Sequence, residues 1–246
     1  MRKLMLLSVA LASLSIPALA ADLAVKAPVL PPFTWSSCFL GAHAGGGWAR
    51  QDVTDPAGLV EVNAFGTPAS GVTTAQVNPS GAVVGGQFGC DYQFAPSWVA
   101  GVEGSASGAA MNGSTTVDLP DVGGAALVTA RTDFLASVTG RLGYAVDRWL
   151  YYVKGGAAWA GGKYDVVGSG FGFEGLDTRD GWTVGAGIEW AFSRNWSARI
   201  EYDYYGLGTR TIQMTDSING FGPAPVDVKE SVQTVKLGVN FHLWSQ

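Results

Sequence analysis

Three times along this chain an alternating apolar stretch closes on a small polar turn and restarts on a tryptophan. Phe88, Cys90, Tyr92 and Phe94 lead through Ala95-Pro96-Ser97 to Trp98. Leu142 and Tyr144 lead through Val146-Asp147-Arg148 to Trp149, and Ile188, Trp190 and Phe192 lead through Ser193-Arg194-Asn195 to Trp196. The tryptophans are spaced by 51 and 47 residues. Period-two alternation marks a strand with one apolar face. Short turns flanked by aromatic rings mark the wet end of a membrane hairpin, where Trp and Tyr settle at the interface.

The N-terminus reads as an export address. Arg2 and Lys3 precede an apolar run from Leu4 to Leu14, and Ala18-Leu19-Ala20 fits the small-x-small cleavage rule, so cleavage is expected between Ala20 and Ala21. The run is too short for a spanning helix, and no later segment approaches ~18 uninterrupted apolar residues. Charged residues make up 14% of the chain, against roughly 25% in soluble domains. Glycine accounts for 35 of 246 residues, about double the usual ~7% share. An exported chain of this composition is a secreted β protein or an outer-membrane barrel, whose lipid- and lumen-facing residues alternate and mute the hydropathy signal. Removing Arg2 and Lys3 leaves thirteen basic residues against twenty acidic ones. That balance lacks the basic footprint of a nucleic-acid binder.

Eight strand candidates follow the Pro-rich leader: 38–50, 81–94, 98–107, 129–146, 149–164, 181–193, 196–206 and 231–244. Three connections are the short turns above. The other four, 51–80, 108–128, 165–180 and 207–230, are long and polar. Short turns on one side and long loops on the other define an outer-membrane barrel, with an even strand number leaving both termini on the periplasmic side. Closure is required, because an open sheet edge cannot sit in hydrocarbon. The expected fold is therefore all-β: an eight-stranded antiparallel transmembrane β-barrel with short periplasmic turns and four long extracellular loops. The expected organisation is a signal peptide over 1–20, a periplasmic Pro-rich leader over 21–36 and an outer-membrane β-barrel over 37–246.

The alternation assigns faces. Trp196, Ala198, Ile200, Tyr202 and Tyr204 oppose Ser197, Arg199, Glu201 and Asp203. Phe134, Ala136, Val138, Leu142 and Tyr144 oppose Asp133, Ser137, Thr139 and Arg141. Eight strands enclose a space only just wide enough for side chains, so the bulky aromatic face belongs outside and the small polar face inside. Tyr92, Phe94, Trp98, Tyr144, Trp149, Trp190, Phe192, Trp196 and Phe241 then form a periplasmic-side aromatic girdle. Glu103, Arg141, Lys154, Glu189, Arg199, Glu201, Asp203 and Lys236 form a lumen charge network. Its two readings are an ion-paired core that fills the barrel, since buried charges need partners, and a filter in a narrow conducting lumen.

Cys38 and Cys90 fall on the outward phase near the periplasmic ends of neighbouring strands. The oxidising compartment permits a disulfide there, and two apolar lipid-facing thiols are the alternative. His43 and His242 both point inward, without the ligand cluster a metal site needs. The glycine runs Gly45-Gly46-Gly47, Gly85-Gly86 and Gly161-Gly162 lack a phosphate-loop context and suit barrel bends. The acids Asp52, Asp55, Glu61, Asp118, Asp121, Asp165, Glu174 and Asp177 read as solvated loop residues. No enzyme, cofactor or metal is expected.

The segments Ala21-Asp22-Leu23, Phe33-Thr34-Trp35, 85–89 (GGQFG), 141–145 (RLGYA), 152–157 (YVKGGA), 185–189 (GAGIE) and 235–241 (VKLGVNF) give the mature chain a resemblance along nearly its whole length. It resembles the outer membrane immunogenic protein family of alphaproteobacteria, the RopB-type small porin-like outer-membrane barrels. The resemblance implies an eight-stranded barrel at the cell surface with a structural and antigenic role. Family chains usually stop on an aromatic near Leu243, the assembly signal, whereas here Trp244-Ser245-Gln246 follows.

The expected function is an integral outer-membrane protein that stabilises the envelope and carries surface antigen. A narrow passive porin is the first alternative and a soluble lipocalin-like binding protein the second. Expected partners are outer-membrane lipid, lipopolysaccharide and the barrel-assembly machinery acting on the C-terminal strand. Homo-oligomerisation and any host ligand stay open.

Overall fold

Alternation of small or β-branched residues with aromatics suits a pleated surface far better than a helix, and the described residues are almost entirely strand. The structure, a computed structural model, describes residues 33–55, 73–119, 124–168, 171–216 and 224–243. Expectations for the cleavage site Ala20/Ala21, for most of the leader, for Glu61 and Asp121, and for the 244–246 tail lie outside them.

The strands are β1 (Ser37–Asp55), β2 (Thr73–Val77), β3 (Ser80–Gln93), β4 (Trp98–Leu119), β5 (Gly124–Val146), β6 (Trp149–Gly168), β7 (Phe171–Ala191), β8 (Trp196–Asp216) and β9 (Ala224–His242). Every pairing is antiparallel between ring neighbours, and β9 returns to β1 from Phe39↔His242 to Thr54↔Asp227, closing the sheet. Nine strands occupy eight places. β2 and β3 both pair with β1, through Gln51↔Val77 and Trp48↔Ser80, and are split at Asn78-Pro79. Proline cannot donate to a ladder, yet the Pro79 carbonyl still accepts from the Ala49 amide at 2.8 Å.

At one end the three tight turns hold β3 to β4, β5 to β6 and β7 to β8. Asp147 takes the left-handed conformation (φ 52°) that a two-residue hairpin demands and that Asp tolerates. The other end differs from the sequence expectation. Residues assigned to long loops continue the strands, so that β4 runs for 22 residues and β5 for 23. At about 3.3 Å per residue, such strands are roughly twice as long as a tilted strand needs to cross an apolar band about 25 Å tall. The barrel wall therefore carries on beyond the membrane as a second tier.

The tier has a physical cause: the two faces exchange polarity. Within the membrane band the outside is apolar, with Leu40, Val84, Phe88, Val102, Val138, Val153, Val184 and Leu237 exposed. In the upper tier most apolar residues turn inward, although Leu127, Val167 and Leu176 stay exposed. Val53, Val77, Val128, Tyr164, Val166, Phe173, Ile212, Met214, Val226 and Val228 pack into one buried cluster, while Thr74, Gln76, Thr116, Arg131, Lys163, Thr211 and Lys229 face outward. This is the pattern of a water-soluble barrel. A polar outer face made these segments read as loops, although their period of two persisted.

Two irregularities shift the faces. A bulge between Thr132 and Phe134 leaves Asp133 unpaired and exposed, correcting its expected lumen position. An extra residue re-aims every side chain beyond it. A second bulge lies between Gly206 and Thr209, where Gly208 has φ 67°.

Candidate functional site

The lumen is the chemically dense part of the molecule, and strand register stacks it in layers. At the turn end, Trp35, Val99, Ala145, Leu150, Tyr152 and Ala191 form an apolar layer. Trp35 belongs to the expected leader, yet only 1% of its surface is exposed. Its amide donates to Gln93 Oε1 at 3.0 Å, and its ring meets Phe33 and His242 edge-on. Residues 33–36 thus close the turn-end mouth of the barrel.

Above this layer lies the ionic one, built from residues that alternate inward on β3 to β9. Glu103 is its hub, 3.3 Å from Arg141 Nη1, 3.0 Å from Lys154 Nζ and 2.6 Å from Arg199 Nη1. Glu189 takes Arg141 at 3.0 Å. Glu201 and Asp203 share Lys154 and Lys236, at 2.8 and 3.3 Å for Lys154 and 3.2 and 2.6 Å for Lys236. All eight residues of the expected network therefore meet. Sequence reasoning missed several members. Asp91 lies 3.5 Å from Arg141, and the Arg141 guanidinium stacks 4.1 Å from the centre of the Tyr152 ring. Tyr152 donates to Glu201 at 2.7 Å. A Cβ on Gly187 would press against the Tyr152 ring at 2.5 Å, so the stack relies on the missing side chain.

Both histidines sit inside. His43 is bonded to Gln87 at 2.5 Å and Ser107 at 2.7 Å, and His242 to Ser37 at 2.7 Å and Ser197 at 3.0 Å. Among the described residues no group of His, Cys, Asp and Glu is placed to hold a metal ion.

A second apolar layer, including Val83, Met111, Leu135, Tyr205, Leu207 and Val232, covers the ionic one. Beyond it comes a second ionic cluster. Glu230 accepts from Gln51 at 2.7 Å, Thr132 at 3.1 Å and Tyr164 at 3.1 Å, and lies 3.4 Å from Arg179. Arg179 also pairs with Asp177. Burial, with the Glu230 carboxylate beside it, pushes the Tyr164 phenol far above its ordinary range. Asp177 and Asp55 were expected as solvated loop acids. Asp177 is instead held by Arg179, and Asp55 is 7% exposed on the inward face. The upper apolar cluster then caps the column.

The outer surface carries two aromatic belts. All nine residues of the expected girdle are exposed at the turn end, several in contact across strands: Trp98 with Tyr144 at 5.4 Å, Trp149 with Trp190 at 5.8 Å and Trp196 with Phe241 at 5.1 Å. The second belt, unnamed in the sequence reading, comprises Trp48, Phe134, Trp159, Trp182 and Tyr204. Phe134 is ten residues from Tyr144, and Trp159 ten from Trp149. A strand crosses a bilayer in about 9–11 residues. The two belts therefore mark both edges of the apolar band, and the even spacing was the signal available in the sequence. Cys38 and Cys90 are register partners on the outward face at the turn end, and a disulfide joins them.

Comparison with known proteins agrees with this geometry. The family described as "Outer membrane protein beta-barrel domain" matches residues 6–242. The "31 kDa outer-membrane immunogenic protein" of Brucella melitensis is 30% identical over 269 residues, covering 98% of this chain and 99% of that protein. The "25 kDa outer-membrane immunogenic protein" of Brucella abortus is 24% identical, with 98% of each chain covered. The outer membrane protein OprG of Pseudomonas aeruginosa has the same fold, with a TM-score of 0.54 at 18% identity over 84% of this chain and 97% of its own. A soluble lipocalin-like protein is excluded by this kinship and by the outward apolar band. The chain belongs to the outer membrane protein β-barrel domain family, in the branch of small alphaproteobacterial immunogenic barrels, and resides in the outer membrane.

Proposed function

We propose that this protein is a sealed wall element of the outer membrane that displays its upper tier at the cell surface as an antigen. The observation that carries the reading is the filled lumen: apolar and ionic layers alternate along the barrel axis, and each buried charge of the ionic layers has an opposite charge beside it. A small barrel filled by side chains contributes rigidity rather than passage. The immunogenic names of the Brucella relatives support surface display. We propose no catalytic role, since both histidines are engaged by hydroxyl and amide partners inside the wall. Outer-membrane lipid and the barrel-assembly machinery are the partners this reading requires.

Surface labelling tests the display. An impermeant maleimide is expected to label Thr116→Cys, on the outward face of the tier, in intact cells. Arg148→Cys, in a tight turn, is expected to react only after the outer membrane is opened. Equal labelling of both in intact cells would contradict the assignment.

A further inference from the structure

One juxtaposition on the outer face is not explained by the wall itself. Arg131 of β5 and Lys163 of β6 are direct register partners, and both side chains are exposed. Like charges directly opposite each other destabilise a sheet. Two other outward cations of this tier are ion-paired, Arg50 at 3.6 Å from Asp52 and Arg210 at 3.7 Å from Asp180, and Lys229 is the direct register partner of an acid, Asp52. Arg131 and Lys163 make no ion pair among the described residues. Their outer flanks are neutral, Asn112 on β4 and Leu176 on β7. Asp133 lies on the bulge below them, and Asp165 and Glu174 stand one outward step above.

The pair sits at head-group depth. Lys163 lies four residues beyond Trp159 on the same face, about 10 Å further from the bilayer centre for a tilted strand. Below the pair, the outer wall is hollowed on the β4 side of β5. Gly86 and Phe88 of β3, Gly104 and Ala106 of β4 and Ala136 and Val138 of β5 line an open groove of about 500 Å³, bounded on β6 by Trp159. Ala106, Ala136 and Trp159 occupy one row across β4, β5 and β6. Two adjacent cations without an ion pair among the described residues thus stand above an apolar groove on the lipid-facing wall.

We propose that the outer face of β3–β6 binds one phosphorylated, multiply acylated glycolipid of the outer leaflet, with a phosphate on Arg131 and Lys163 and an acyl chain in the groove. This rests on the orientation that puts the upper tier outside the cell. A phosphate monoester carries nearly two negative charges at neutral pH, enough to compensate both cations. Arginine can meet two of its oxygens in parallel, and lysine adds a point charge. The phosphodiester of an ordinary phospholipid brings only one charge.

Native mass spectrometry of the delipidated, folded protein in detergent, titrated with monophosphorylated lipid A or with phosphatidylglycerol, tests the site. The expected result is one saturable lipid A adduct on the wild type, weakened at least tenfold in R131Q/K163Q and also weakened in Ala136→Phe, which fills the groove. Phosphatidylglycerol is expected to give only weak, non-saturating adducts. Unchanged lipid A binding by the double variant, or equally tight binding of phosphatidylglycerol, would overturn the proposal. Heat-modifiable gel migration verifies that each variant is folded. Because the titration is done in detergent, its outcome is independent of the orientation that surface labelling tests.

Discussion

Replacing Glu103 by alanine is expected to destabilise the folded barrel by about 3–5 kcal/mol, the cost of leaving buried charges without their partner. The carboxylate stands between Arg141, Lys154 and Arg199, and its contact to Arg199, at 2.6 Å, is the shortest of the three. Without it, among the described residues, Arg199 is left with Glu201 at 3.6 Å, while Arg141 keeps Asp91 and Glu189 and Lys154 keeps Glu201 and Asp203. Urea unfolding from detergent micelles or vesicles measures the change as a lowered midpoint. The size of the effect reports on water. In a dry lumen the Arg199 guanidinium keeps just the longer contact to Glu201 and gains no water in place of Glu103. In a hydrated lumen, water screens the charge and the loss drops below about 1 kcal/mol, as for exposed pairs.

The second large effect concerns the outer face. Val138 is 58% exposed in the middle of the apolar band, in a row with Gly104 and Ala157. Val138→Arg is expected to cost about 2–4 kcal/mol, the depth-dependent penalty for arginine facing lipid. Thr116→Arg, on the outward face of the upper tier, is expected to change stability by no more than about 0.5 kcal/mol, as for an ordinary wet surface. The two substitutions put the same charge on the same face of adjacent strands at different heights. Equal costs would mean that the polarity exchange along the wall is not set by the membrane.

The membrane half of this fold was legible because its chemistry is binary: every second residue faces hydrocarbon, and a charge such as Glu201 or Lys236 can face only the lumen. Strand phase therefore sufficed to place the eight network residues and the turn-end girdle. The upper tier was not legible in the same way. Val128, Val166 and Val226 keep the period of two, but their outward neighbours mix Thr129, Asp165, Pro225 and Asp227 with Leu127 and Val167, so no uniform apolar outer face marks them as membrane strands. The inward pairing of Asp177 with Arg179 could not be seen either, since it depends on where the strands end. Asp133 was placed on the wrong face because phase counting carries through a bulge unchanged, and nothing local to Asp133 announces the extra residue. Trp35 looked like part of a proline-rich leader; its burial arises from Gln93 and His242, which are distant in sequence.

The upper tier also alters what the small barrel presents to the outside. A strand wall with its own apolar core is more rigid than free loops, because its backbone groups are paired and its apolar side chains buried. An antibody or other surface ligand would meet an ordered β surface of threonine, lysine and acidic side chains. Arg50 and Arg210 of that surface are ion-paired, whereas Arg131 and Lys163 stand side by side without an ion pair among the described residues.

Planar-bilayer recording of the purified, refolded protein tests the sealed lumen most directly. The account predicts a silent wild-type protein, with no unitary current steps above those of the protein-free membrane. Reproducible unitary steps from the wild type, with a conductance or ion selectivity that changes on Glu103→Gln or Lys236→Gln substitution, would contradict it and establish the lumen as a charged filter.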